Sequence, residues 1–400
     1  MKPVIVVGGG PAGSTVATLL AQDGIPVVLL DRARFPRPKA CGECLNPGAV
    51  RELRELGWAD QVEALRPGLL HGWSLQAGHR RFQARFPAQT VGWGVDRVRL
   101  DALMLDRARQ AGVEVREGCR VTNVQTGDQT SDQAGGPVVT YVAGAESEPA
   151  TTMDADPPST GTGTGGQEST LQGSMVVAAD GLRSTVAASL GLRSGRAGKA
   201  SCTFHVSGVD LDRRLGHMHL APGPTVGVAP LSSTEDVWTV TIVGDSPETT
   251  PSPDPLISLA MATRAFPELK SARVISEAWM SGSFQVEVSS CTAPGILLVG
   301  DAAGYYDPLT GQGIYRALRM ARWAAEAVKA TVGTDGACPE YAAHYAARVA
   351  ALSNGRRLQQ VIEWARRRPR LLERAMSGLE LVRGLDPLIA LTGDLRIPTS

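Results

Sequence analysis

Residues 8–13 read Gly8-Gly9-Gly10-Pro11-Ala12-Gly13, with the spacing G-x-G-x-x-G. A pyrophosphate needs backbone N–H groups, the positive end of a helix and no side chain in its way. Gly8 suits a tight turn, Gly10 lets the backbone approach the phosphates, and Gly13 lets a helix pack close to its strand. Pro11 and Ala12 open that helix. Asp31 follows about 18 residues after Gly13, at the end of the next apolar run, where an acid accepts hydrogen bonds from ribose hydroxyls. Arg32 belongs to the same turn. Spacing alone says little, because Gly161-x-Gly163-x-x-Gly166 repeats it in a stretch with no strand before it and no helix after it. Only the first occurrence has both flanks and the acid, so only it is read as a dinucleotide site.

Two later segments carry similar chemistry. Ala179-Asp180-Gly181-Leu182-Arg183-Ser184 follows the apolar run SMVVA. Gly300-Asp301-Ala302-Ala303-Gly304 follows GILLV and precedes Asp307-Pro308 and Gly311-Gln312-Gly313-Ile314. Each sets an Asp at the C-terminal end of a buried-type strand, the edge where open α/β sheets bind ligands. Such an Asp can accept from the ribityl chain of a flavin. Gly311 and Gly313 open a long helix whose positive end suits the N1–C2=O edge of a flavin and its anionic reduced ring. Taken separately, each segment also reads as an ordinary strand-to-loop turn.

Other clusters stay open. Cys41-Gly42-Glu43-Cys44 is either a redox dithiol or two unlinked thiols in a loop. His217 and His219 alternate, so on a strand they share one face; they either begin a metal site or serve structure or a substrate cleft. No third ligand accompanies them, and no metal is expected. Arg366-Arg367-Arg368-Pro369-Arg370 reads as a solvated helix face or as a contact for an anionic surface. The apolar tail 385–398 is expected to pack on the domain surface, with shallow membrane contact as the minor alternative.

The elements that must hold these groups follow from periodicity. PVIVVG (3–8) and PVVLLD (26–31) are short apolar runs of buried parallel strands, with a helix over 11–23 between them. Helices are predicted over 48–57, 97–111, 255–265 and 312–332. Alternating segments over 70–95 and 196–285 predict antiparallel strands. Residues 126–172 suggest two or three meander strands around a mobile insertion near 144–170, dense in Gly, Ser, Thr and Pro.

Composition narrows the class. Forty basic and 40 acidic side chains balance, so no nucleic-acid partner is indicated. Six cysteines in 400 residues are too sparse for a disulfide scaffold. Neither a signal peptide nor an apolar run of membrane-spanning length is read, which makes the cytoplasm the expected compartment.

Together, GGGPAGS, the R-x-x-L-D of Arg97 to Asp101, ADGLRS and GDAAG…P…GQG resemble the flavoprotein hydroxylase superfamily, over about residues 1–330. Its members include aromatic hydroxylases, geranylgeranyl reductases and flavin-dependent halogenases. Pro38-Lys39-Ala40-Cys41-Gly42-Glu43-Cys44-Leu45-Asn46-Pro47 is similar to the K-x-C-G-x-x-L-x-P stretch of the geranylgeranyl-reductase-like branch, where it runs beside the flavin. That branch has an aromatic pattern ending in Phe-Pro in the substrate sheet; here the place reads Gly227-Val228-Ala229-Pro230. The W-x-W-x-I-P motif of halogenases is missing.

The resemblance implies FAD as cofactor. It implies that Arg97 contacts the flavin nucleotide, that Asp180 and Gly181 lie at the cofactor cleft, and that Asp301 binds the ribityl-pyrophosphate region. Gly300, Pro308, Gly311, Gly313 and Ile314 accompany Asp301, and Ala40 and Cys41 flank the ring. The expected fold is α/β (α+β overall), a Rossmann-like FAD-binding domain with a β-rich substrate domain and a C-terminal helical part. The FAD domain is assigned to 1–70, 96–195 and 286–332, the substrate domain to 71–95 and 196–285, and the helical part to 333–400. The expected activity is oxidoreduction of a hydrophobic small molecule, by monooxygenation or by reduction of a carbon–carbon double bond. NADH, NADPH or a separate reductase would supply electrons, docking transiently. Halogenation and a non-catalytic redox scaffold or sensor are the alternatives. No catalytic acid or base stands out.

Overall fold

The computed structural model describes residues 1–127, 135–144, 167–194, 199–220, 223–244, 249–284, 287–305, 311–332, 339–352, 364–381 and 384–387. The second glycine match, Pro308, most of the expected insertion and the tail beyond 387 lie outside the described residues.

The first apolar run forms strand Val4–Val7, which pairs in parallel with Val27–Asp31 and with Met175–Ala178. Ile296–Leu298 extends the sheet beyond Met175–Ala178, and Glu114–Glu117 extends it beyond Val27–Asp31. A parallel sheet is covered on both faces, so its central strands are almost wholly apolar, whereas the edge strand Glu114–Glu117 is polar. Val4 and Val6 face helices Pro11–Gln22, Arg97–Gln110 and Gly313–Val332, which bury Val16, Leu20, Leu105 and Leu318 against them. Ile5 and Val7 face the opposite way, onto Val121, Val139 and Tyr141. The latter belong to a meander of Cys119–Gln125, Val138–Ala143 and Glu168–Gln172. Glu168, Ser169 and Thr170 are therefore strand, because the meander needs them as partners for Val142, Tyr141 and Thr140. The expected insertion ends before them.

A second sheet has eight strands. Its centre is Lys199–Ser207, Trp238–Gly244, Thr225–Pro230, Gly216–Leu220 and Gly72–Ala77. Gly216–Leu220 and Gly72–Ala77 run parallel, and the other central pairs are antiparallel. Alternation divides its side chains between two faces. Cys202, Phe204, Val226, Val240 and Ile242 pack with Ala262, Phe266 and Leu269, in and after helix Pro255–Ala265. Thr203, His205 and Thr241 point to the other face, toward the first sheet.

A small sheet of Cys44–Leu45, Gly92–Gly94 and Gly68–Leu70 joins the two lobes. It presses so closely on strand Thr225–Pro230 that a Cβ on Gly94 would lie 1.9 Å from the Pro230 carbonyl oxygen. Helix Pro369–Leu381 then closes the far end of the second sheet, with Leu372 and Met376 packed on Ala77, Phe82 and Leu220. Leu385 joins that cluster. The basic run before the helix is not simply a solvated face. Arg366 is 4% exposed and donates to the Gly223 carbonyl at 3.1 Å.

Glu52 on helix Pro47–Glu55 is fully buried between two guanidiniums of the long helix, Arg319 and Arg322, each at 2.8 Å. Glu55 also contacts both guanidiniums, so loss of Glu52 leaves them only partly compensated. Glu52→Ala should lower the unfolding free energy by about 2 kcal/mol, the loss of charge-assisted hydrogen bonds, read from urea midpoints at constant m.

Candidate functional site

Gly8, Asp31, Asp180 and Asp301 all lie at or just beyond the C-terminal ends of parallel strands, so the sheet brings them to one edge. Gly8 takes φ +102 and its missing Cβ would lie 2.4 Å from the Ala179 carbonyl oxygen. A Cβ on Gly13 would lie 1.8 Å from the Gly8 carbonyl oxygen, so the helix can start flush against the strand only with glycine there. Gly10 differs: its Cβ would meet only the Arg37 Nη2, at 3.6 Å. Gly10 is also the N-cap of helix Pro11–Gln22 and offers no side-chain cap, which leaves the first helical N–H groups without intrahelical acceptors. That helix end is open for an anion.

Asp31 is 6% exposed and accepts the Gly9 N–H at 2.6 Å and the Ala33 N–H at 2.7 Å. It shapes the glycine loop as well as offering its remaining lone pairs. Arg32 beside it is exposed. Asp180 Oδ2 accepts the Thr185 N–H at 2.7 Å, while Oδ1 is buried without a partner among the described residues. Burial holds the Asp180 carboxyl above its ordinary pKa, against the hydrogen bonds it accepts. Gly181 and Gly300 take the left-handed region, at φ +80 and +63. Ile314 is a core residue of the long helix, and Gly313 begins that helix with open space before it.

A charged group that the glycine pattern did not reveal faces this edge. Arg97 is 4% exposed and binds Asp101 in two-pronged fashion at 2.8 and 2.9 Å. Arg37 adds a contact to Asp101 at 3.5 Å, and Lys39 lies 3.8 Å from Asp301. Burial would raise the Asp101 pKa, but Arg97 and Arg37 outweigh it and hold the carboxylate low. Burial lowers the Lys39 ammonium, with Arg97 and Arg37 adding to the effect against Asp301. Arg37, Lys39 and Arg97 stand among Asp31, Asp101, Asp180 and Asp301 at this edge. Arg97, expected to contact the nucleotide, thus gives much of its guanidinium to Asp101.

The loop through Ala40 and Cys41 is half-buried and crosses from this edge to the second sheet. The Cys41 N–H donates to the Thr203 hydroxyl at 3.1 Å, and the hydroxyls of Thr203 and Thr241 lie 3.1 and 3.2 Å from the Cys41 carbonyl. Cys41 and Cys44 are both free, and burial pushes the Cys44 thiol up, which opposes a thiolate nucleophile. Glu43 reaches His205 across the same seam, at 2.8 Å. Neither His205 nor Arg37 carries a motif, and only tertiary packing brings them here. His217 and His219 lie on the opposite face of the sheet, against Phe266, and burial lowers both. No cluster of three or more metal-ligating side chains occurs among the described residues.

The edge therefore offers an uncapped helix end, an unfilled approach at Gly10 with the Arg37 guanidinium beside it, and the unpartnered Asp180 Oδ1. These fit the diphosphate and polyol of FAD. The FAD-binding domain family matches residues 1–330. The chain belongs to this family, within the flavoprotein hydroxylase superfamily. Its cofactor is FAD, and it is an FAD-dependent oxidoreductase.

Menaquinone reductase of Mycolicibacterium smegmatis is 29% identical over 83% of this chain and 77% of its own length. Digeranylgeranylglycerophospholipid reductase 1 of Methanococcoides burtonii is 25% identical over 83% of this chain and 75% of its own. The structure of a flavin-dependent brominase superposes with a TM-score of 0.75 at 21% identity, covering 98% of this chain and 93% of that one, which is likeness of fold. Relatives thus span reductases, monooxygenases and halogenases.

The two glycines should separate folding from binding. Gly13→Ala should fail to fold stably and retain no flavin. Gly10→Ala should melt like the wild type when stripped of cofactor yet bind FAD at least tenfold more weakly, about 1.4 kcal/mol, in a fluorescence titration.

Proposed function

We propose that this flavoprotein reduces a carbon–carbon double bond in a hydrophobic small molecule. The observation that carries the reading is the cleft-facing side of the second sheet. Register sets Thr203 beside Thr241, Thr241 beside Gly227, Gly227 beside Met218 and Met218 beside Leu75. The side chains change from hydroxyl to apolar along that row. Gly227 leaves its centre open, with only the Thr241 carbonyl oxygen as near as 4.0 Å to a Cβ placed there. Cys44, Trp73, Leu75, Met218, Ala365 and Leu379 are half-buried around the apolar end, which helix Pro369–Leu381 covers. A substrate with a polar head and an apolar body suits such a surface. Relatives named as reductases match over most of their own length, which supports a reductive reading.

When bound, FAD supplies two-electron transfer. The glycine loop with Pro11 and Ala12 would hold its pyrophosphate, Asp31 and Arg32 its adenosine ribose, and Asp180, Gly181, Gly300 and Asp301 its polyol chain. Ala40 and Cys41 would flank the ring, and the helix begun by Gly311 and Gly313 would present its positive end. Gly311 lies near Trp73, whose Cζ2 would be 3.9 Å from a Cβ there, so this turn borders the substrate surface. One dinucleotide fingerprint in the chain supports a donor, NADH or NADPH, that docks transiently, or a separate reductase. Monooxygenation is the second reading, favoured by an 84-residue match at 39% identity to the squalene monooxygenase of Rattus norvegicus.

Purified protein should be yellow and bleach anaerobically with NADH or NADPH. Recolouring by an unsaturated hydrophobic compound without oxygen supports reduction; recolouring that needs both compound and oxygen supports monooxygenation. Gly227→Phe should keep its FAD and lower kcat/KM for that compound at least tenfold. An unchanged kcat/KM would remove the cleft face from the substrate site.

A further inference from the structure

Glu43 is 1% exposed and sits at φ +54, the left-handed region that non-glycine residues rarely adopt. Two contacts hold it there. The Val95 N–H donates to its carbonyl at 2.9 Å, and its Oε1 accepts the Arg97 N–H at 3.1 Å, at the start of helix Arg97–Gln110. Its Oε2 is thereby aimed across the seam at His205 Nε2, 2.8 Å away.

His205 stands on strand Lys199–Ser207, on the same face as Thr203, which holds Cys41. Its backbone N–H donates to Ser276 Oγ at 2.8 Å, and its ring meets Trp279 edge-on at 4.9 Å between centroids. With Nε2 turned to Glu43, Nδ1 lies on the side of the ring away from that carboxylate. Burial alone would lower the imidazole pKa. The hydrogen bond and charge of Glu43, helped by Asp96 at the cap of helix Arg97–Gln110, outweigh it and hold His205 above its ordinary value. Its other neighbours, Thr203, Thr239 and Trp279, are uncharged. A raised histidine pKa stabilises the fold below the unfolded-state pKa, and that contribution is lost as pH rises through the folded value.

Hydride addition to a double bond leaves an electron pair on the second carbon, which a positioned acid must protonate. We propose that His205 is the proton donor of the substrate cleft and that Glu43 is the positioning residue that holds its ring with Nδ1 directed at the substrate. The assignment rests on the double-bond reductase reading. When bound and reduced by NADH or NADPH, FAD would supply a hydride to one carbon of the double bond. The π electron pair takes the Nδ1 proton at the other carbon, and His205 is left neutral. Solvent returns the proton.

The experiment uses the FAD-loaded enzyme and an unsaturated substrate identified by anaerobic recolouring. His205→Gln should keep its flavin and its rate of bleaching by NADH or NADPH, while recolouring slows about a hundredfold or more. In the wild type, kcat/KM should fall as pH rises through the His205 pKa, because the imidazolium is the acid. Glu43→Gln keeps a hydrogen bond but removes the charge. It should move that limb to lower pH, and move the His205 NMR titration, assigned by its loss in His205→Gln, by the same amount. An NMR titration that does not move overturns the role of Glu43. A shifted NMR titration with an unmoved kinetic limb overturns His205 as the donor. Holoenzyme that recolours with no unsaturated compound removes the reductase reading and this step with it, a failure distinct from the other two.

Discussion

The structure depends on one steric constraint, the backbone crossing of Gly13 over Gly8 and of Gly8 over Ala179. A helix normally keeps a side chain's width from the strand it follows. Here that width is absent, and the helix begins directly on the strand end. Its uncapped N–H groups therefore stand at the sheet's edge rather than above it. The same edge receives Asp180 and Asp301, because their strands run parallel to the first. A parallel sheet collects the ends of segments far apart in the chain, and this geometry gathers Gly8, Asp31, Asp180 and Asp301 at one edge.

The second constraint is electrostatic. Arg97 and Asp101 are almost wholly buried, and such a pair persists only when its hydrogen bonds are met. Its two-pronged geometry meets them and fixes the start of helix Arg97–Gln110. From that helix end, one backbone N–H holds Glu43, which reaches the second sheet. The loop through Cys41 is pinned at both sides, by Lys39 toward Asp301 and by Thr203 and Thr241 at its carbonyl. The first and second sheets are thus coupled through a short, closely held segment.

Much of this was legible. Apolar runs gave the parallel strands, helical spacing gave the helices over 97–111 and 255–265, and the flanks of the first glycine match separated it from its copy near 161. Strand alternation at His217 and His219 correctly put both on one face, but not on which face. Arg366 was less legible, since a run of arginines looks solvated until a carbonyl is found against one of them. Arg37 and His205 gave no signal, because the acid each one pairs with is far away in the chain. Asp101 is 64 residues from Arg37, and Glu43 is 162 from His205.

The sequence by itself determined the cofactor class and the strand ends at which the proposed site lies. Those features are local: a glycine, a strand end and a helix start are specified by a few adjacent residues. It determined little about the reacting face. Which side of each strand looks at the cleft depends on the register between strands, and one residue of slip exchanges the faces. Only the tertiary structure decided that Thr203, Thr241 and Gly227 face the cofactor edge, that Leu75 and Met218 continue the row, and that His205 meets Glu43 there.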